Sequence, residues 1–260
     1  MGHVICIGSQ KGGVGKTTTA LNLGVAFAVS EKKVLIVDSD PQGHATLGLG
    51  IDRTKTRNNL YHGLKDKTLY EELILGSSID SLEAIPSGYE LIQIEAEMAA
   101  EAGKEWMLRD LLNEIKEEYD FIIIDCSPSF NLLTLNAIVA SDSFLIPLQC
   151  EYYAFEGLGQ LLKTYQIFKK RFNVGIEIEG ILLTMYSPNE KISREIAKSV
   201  RSHFKKMIFK VTIPRDTHLK ESACYSKPLA FRNIKSVGAR RYLDLANEIM
   251  LKRKVAAVEP

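Results

Sequence analysis

The stretch VICIGSQKGGVGKTTTALN, residues 4–22, decides the fold. It reads as a short apolar strand, a glycine-rich loop and the start of a helix. A phosphate-binding loop requires that setting. The glycines let backbone N–H groups turn inward around an anion, and the helix aims its positive end at the same place. Lys16 is then placed to reach the terminal phosphates of a nucleotide, and the Thr17 hydroxyl to hold Mg²⁺. One lysine is expected in such a loop. This one carries two, Lys11 and Lys16, around three glycines.

Working outward, apolar runs bounded by turn residues recur at 3–8, 33–38, 121–126, 143–148 and 179–186, with shorter candidates at 81–86 and 207–214. They are rich in Val, Ile and Leu and do not alternate with polar residues. Parallel strands covered on both faces have that composition. Helical spacing fills 16–30, 106–118, 131–140, 155–171, 190–205 and 236–253. Strand–helix alternation predicts an α/β fold: one doubly wound, mostly parallel sheet with helices on both faces. A single domain over 1–254 with a frayed tail at 255–260 is the simplest organisation.

In such sheets ligands sit beyond the carboxyl ends of the strands. Asp38 and Asp40 end the second strand and Asp125 ends FIIIDC, so all three should gather around the loop. Asp125 is the candidate for the Mg²⁺ hydration shell, with Asp38 behind it. A turn or capping role is the plainer alternative for Asp38.

Composition excludes several classes. No apolar run reaches the roughly 18 residues of a membrane span, and the first one is too short for a secretory signal. A cytoplasmic protein is expected. Cys6, Cys126, Cys150 and Cys224 form no CxxC pair and read as reduced, buried small hydrophobes. The net charge of +1 hides a split: residues 191–260 hold 17 Lys/Arg against 6 Asp/Glu, and the remainder holds 16 against 26. A basic C-terminal face is one reading, and solvated helix faces are the other.

The loop departs from the common G-x-x-x-x-G-K-[ST] form, with Gln10 at the first glycine position and Lys11 after it. K-G-G-V-G-K-T-T resembles the deviant Walker A motif of the ParA/MinD group of P-loop ATPases. Residues 132–162, 180–186, 211–215 and 242–249 follow the ParA/Soj partition proteins in particular. The resemblance implies ATP/ADP and Mg²⁺ as cofactors, and ATP hydrolysis. It implies a nucleotide set of Lys11, Gly12, Gly13, Val14, Gly15, Lys16, Thr17 and Thr18, with Pro214 and Asp216 near the base. It makes Asp40, in D-x-D-P-Q, the catalytic carboxylate beside Lys16, and Asp125 the Walker B aspartate; Thr17, Asp38 and Asp125 form the metal group. Lys11 becomes the lysine that crosses a dimer interface to the nucleotide of the other subunit, which explains the second lysine.

The same resemblance implies an ATP-bound homodimer on non-specific DNA, a ParB-type partner that stimulates hydrolysis, and a nucleoid-associated place in a bacterial cytoplasm. Asn189 and His218 stand where Soj-type relatives often carry arginines, and His44 where they carry Asn. The candidate DNA face is therefore Lys191, Arg194, Lys198, Arg201 and Lys205 on one helix, followed by Lys227, Arg232, Lys235, Arg240 and Arg241. A MinD-like membrane-associated ATPase is the alternative. The last helix would have to insert apolar residues, and its Tyr242, Leu245, Ala246, Ile249 and Met250 read better as core. A P-loop metabolic enzyme would need a second small-substrate pocket, and no motif signals one.

Overall fold

The computed structural model describes residues 2–151, 154–172, 175–219 and 235–256. The apolar runs become strands β1 (His3–Ile7), β2 (Val34–Ser39), β4 (Leu82–Ile85), β5 (Phe121–Cys126), β6 (Ser143–Gln149), β7 (Glu177–Tyr186) and β8 (Ile208–Pro214). With the two-residue β3 (Leu75–Gly76) they form one sheet in the order β3-β4-β2-β5-β1-β6-β7-β8. Every pair is parallel except β3 with β4.

Both faces are covered, which is why the strands lack alternation. Val4, Cys6, Leu35, Val37, Ile122 and Ile124 face one core. It is closed by α3 (Leu60–Lys65), α6 (Met107–Ile115), α7 (Leu132–Ala140), α8 (Ala154–Arg171) and α9 (Lys191–Phe204). Ile5, Ile7, Val34, Ile36 and Ile123 face the other, against α1 (Lys16–Val29), α2 (His44–Gly48) and α10 (Val237–Ala256). Leu108, Leu111, Leu112 and Ile115 are the buried stripe of α6, at the spacing that puts them on one face. Two further short helices, α4 (Tyr70–Leu73) and α5 (Ile94–Glu97), lie in the connection from β2 to β5. α10 runs to Ala256; residues 257–260 lie outside the described residues.

Register places the site. Ile7 pairs with Asp125 across β1 and β5, and Asp38 pairs with Asp125 across β2 and β5. The carboxyl ends of three adjacent strands therefore present the glycine loop and the carboxylates side by side. The chain passes from β5 to β6 across β1 at this point, so the loop sits at the topological switch of the sheet.

Candidate nucleotide-binding site

Gly15 caps α1 in the left-handed region at φ 93°, and Gly13 adopts φ 75°. A β-carbon would strain both positions, so the sequence needs glycine there. The loop is anchored from two sides. The Thr184 hydroxyl on β7 donates to the Val14 carbonyl at 2.8 Å, and Thr19 on α1 meets the Tyr242 hydroxyl of α10 at 3.2 Å. Between the loop, Asp40, His44 and Pro128 lies a cleft of about 430 Å³. Gly12 and Gly13 open onto space: a β-carbon on either would meet nothing within 4 Å.

Lys16 is buried, 7% exposed. Burial lowers its pKa from the usual lysine value, while Asp125 beside it works the other way. Asp125 is fully buried and neither carboxylate oxygen has a hydrogen-bond partner. Burial first, and then Asp38, push its pKa well above the usual value. Thr17 opposes this from the loop side without reaching hydrogen-bond geometry. A buried carboxylate with two idle oxygens is costly unless a cation or its water shell completes it. Mg²⁺ fits that gap, with Thr17 and Asp125 as the residues that would hold it.

Asp38 is differently committed. Its Oδ2 accepts from the Thr46 amide at 2.7 Å and the Thr46 hydroxyl at 2.6 Å, and its Oδ1 accepts from the Asp40 amide at 3.2 Å. It holds the 40–46 turn, and burial still raises its pKa to about 6. Asp40 lines the cleft; its Oδ1 accepts from the Gln42 amide at 2.9 Å.

Lys11 stands apart. It is half exposed on the rim, and its Nζ lies 2.8 Å from Glu151 Oε2. It lines a separate small pocket with Ser9, Gln10 and Leu158 rather than the phosphate cleft. A second pocket continues the cleft past Gly15 and Thr18 to Ile213, Pro214, Arg215 and Asp216. Asp216 is mostly buried: it accepts from the His218 amide and ring, and from the Gly238 amide at the start of α10. Met185 borders both spaces in a left-handed conformation, φ 50°, which is strained for a side chain with a Cβ.

A family model described as an AAA domain matches residues 2–178. A chromosome partitioning protein ParA from Myxococcus xanthus is 45% identical over 96% of this chain and 88% of its own. The sporulation initiation inhibitor protein Soj of Bacillus subtilis is 43% identical over 96% of this chain and 98% of its own. The chain belongs to the ParA/Soj family of P-loop ATPases. Among solved structures, cobyrinic acid a,c-diamide synthase from Mycobacterium smegmatis, with bound ADP and magnesium, is similar at TM-score 0.86 and 30% identity, over 98% of this chain and 96% of that one.

The helix read at 190–205 is present as α9 (Lys191–Phe204). Ser193, Ala197 and Val200 face the core, while Lys191, Arg194, Lys198 and Arg201 are exposed on α9 and Lys205 just beyond it. Not all these charges are idle. Lys191 lies 3.7 Å from Glu195, Arg194 donates to the Pro188 carbonyl, and Arg201 to the Phe209 and Lys210 carbonyls. Arg240 and Arg241 are exposed at the start of α10, Arg241 3.3 Å from Asp244. Lys227, Arg232 and Cys224 lie outside the described residues.

Sequence reasoning misses Thr46, Ser87, Arg53, Thr184 and Met185. The Ser87 hydroxyl donates to the Asp40 carbonyl at 2.6 Å, and its amide to Thr46 Oγ1 at 3.0 Å. Thr46, Ser87, Arg53 and Thr184 act through hydrogen bonds to other segments, which no local motif records, and Met185 shows itself only by its place between the two spaces.

Proposed function

We propose that the chain is an ATP-dependent dimerisation switch that segregates chromosome or plasmid DNA. ATP with Mg²⁺ joins two copies, the dimer lies on DNA without sequence preference, and a ParB-type centromere-binding protein speeds hydrolysis and frees it. It works at the nucleoid in a bacterial cytoplasm. The observation that carries this reading is the divergence of the two loop lysines: Lys16 is buried at the cleft, and Lys11 stands outside it on Glu151. Similarity to ParA and Soj along nearly the whole chain supports it.

In this mechanism the amides around Gly13 and Gly15 and the Lys16 ammonium hold the phosphates. Thr17 and Asp125 are the residues that would hold the metal. Mg²⁺, when bound, neutralises charge developing on the phosphates. Asp40 orients the attacking water, and Pro214 and Asp216 flank the base. Lys11 leaves Glu151 to meet the partner subunit's nucleotide, so two facing polyanions acquire cations from both sides. Turnover is slow, because the bound state is the signal.

Sizing the Asp40→Ala variant with ATP and Mg²⁺, with and without duplex DNA, tests this. A dimer that moves onto DNA is expected. A dimer that ignores DNA removes the segregation half, and a chain that stays monomeric removes the switch. The membrane alternative loses support from α10, since Tyr242, Leu245, Ala246 and Ile249 are buried in the core. No helix among the described residues is long and apolar enough to cross a membrane.

For the DNA face, Arg194→Ala, Lys198→Ala and Arg201→Ala together are expected to weaken duplex binding at moderate salt. The slope of log affinity against log salt should flatten by about 0.9 for each phosphate that is no longer neutralised. Binding and slope equal to those of the unsubstituted chain would place the face elsewhere.

A further inference from the structure

We infer that Arg53 is a positioning residue for hydrolysis, fixing the 40–43 turn that carries Asp40. This rests on the proposed role of Asp40 and extends it to a side chain with no place in the motif.

Arg53 follows α2 and reaches back over the turn. Its Nη2 donates to the Pro41 carbonyl at 2.9 Å and its Nη1 to the Gln42 carbonyl at 2.7 Å. Its Nε donates to the Ser87 carbonyl, just after β4, at 3.2 Å. One planar group thus ties two successive carbonyls of the turn to a separate segment of the chain. Arginine suits this because its donors are held in a rigid fork. The guanidinium also lies 4.0 Å over the Tyr89 ring, which fixes its other face.

The fit to the turn is close. Gly43 sits at φ 68°, and a Cβ there would lie 2.5 Å from the guanidinium carbon. Arg53 makes no ion pair with a carboxylate among the described residues, so its charge faces carbonyl dipoles. Three consecutive carbonyls therefore have a fixed donor: Asp40 from the Ser87 hydroxyl, Pro41 and Gln42 from Arg53. The consequence for chemistry runs through Gln42. Its amide donates to Asp40 Oδ1, so the plane of the Gln42 peptide sets the direction of the carboxylate. Loss of Arg53 frees that peptide while leaving Lys16, Thr17 and the glycine loop untouched. Small misplacements of a catalytic group cost rate more than binding.

The test is a cycle on the full chain: Arg53→Ala, Arg53→Lys, Asp40→Ala and the Arg53→Ala/Asp40→Ala pair. Single-turnover release of labelled phosphate gives rates, and a non-hydrolysable ATP analogue gives affinity. Arg53→Ala is expected to slow release at least tenfold, with analogue affinity within about threefold. Arg53→Lys, a single point charge, recovers less than a third of the rate. In the Asp40→Ala background the Arg53 substitution has no further effect, because a residue acting through Asp40 has nothing left to position. Equal losses in both backgrounds would overturn the inference while leaving Asp40 catalytic. Lower analogue affinity with an unchanged rate would overturn it too. Near-native turnover in Asp40→Ala alone would remove the role of Asp40 and Arg53's with it. Should Arg53→Ala not fold, Tyr89→Ala replaces it in the cycle: a twofold to fivefold rate loss confined to the Asp40 background supports the role, and no loss opposes it.

Discussion

Asp125→Asn is expected to cut ATP turnover about a thousandfold and yet raise the melting temperature of the nucleotide-free protein at pH 8. The loss follows from the metal. A magnesium site supplies several kcal/mol of charge stabilisation, and roughly 4 kcal/mol is about three orders of magnitude in rate. The gain in stability follows from what Asp125 does without it. Both its oxygens are buried and idle, Asp38 is its register partner, and Asp40 is near. Two carboxylates, Asp38 and Asp40, repel Asp125 and one cation, Lys16, attracts it, so a neutral side chain there relieves more repulsion than it costs in attraction. The asparagine amide is itself left short of partners, which limits the gain to about 1–2 kcal/mol, or roughly 2–8 °C for a chain of this size. The pH dependence has a definite sign. Asp38 is raised from 3.8 to about 6, and Asp125 is raised as well. Groups with raised folded pKa values favour the folded state fully below pH 4 and lose that contribution as pH rises through the folded values. For Asp38 the loss is about 3 kcal/mol between roughly pH 4 and 6. Melting from pH 4.5 to 8.5, with and without Mg²⁺, checks all of this. Mg²⁺ should raise the melting temperature of the unsubstituted chain at pH 8 and leave Asp125→Asn unmoved. A lower melting temperature for the variant at pH 8 would show that Asp125 is satisfied in the free protein.

Much of this site is legible in the sequence because its chemistry sits on the ends of buried strands. An unbroken apolar run as short and β-branched as FIIIDC, followed by the turn residues SPS, reads as a covered strand, and the aspartate near its end then emerges where the loop does. The legible helices are long enough to show a 3.6-residue period. α2, α3, α4 and α5 have four to six residues each, too few for a period, so the stretches on either side of the 81–86 strand read as featureless up to the helix at 106–118. β3, two residues long and antiparallel, has no apolar pattern at all. The two roles open to Asp38 do not separate in the string, since its bonds to Thr46 depend on where α2 begins. Arg53 is hidden for a similar reason. Its partners, Pro41, Gln42 and Ser87, are 11 to 34 positions away, and a backbone carbonyl leaves no mark in a sequence.

A mixture of Lys11→Ala and Asp40→Ala chains is expected to regain ATP turnover that neither has alone, up to about half the value of the unsubstituted chain per dimer. Lys11→Ala by itself should bind ATP nearly normally, because Lys11 does not line the phosphate cleft and its ammonium rests on Glu151. It should fail to dimerise, since two facing nucleotides would then lack the cations that offset their charge. The exposed pair with Glu151 is weak, at most about 1 kcal/mol, so it does not prevent Lys11 from moving. In a mixed dimer the Lys11→Ala subunit keeps its own Asp40 and receives an intact lysine from its partner. That nucleotide site is complete. The Asp40→Ala subunit has neither its own carboxylate nor a lysine from across the interface, and it stays silent. If Lys11 served its own subunit instead, each site in the mixture would lack one group and no turnover would return. Phosphate release across a titration of one variant into the other separates the two cases: a bell-shaped curve peaking near equal amounts marks a lysine acting across the interface, and a flat line at background marks one that acts at home.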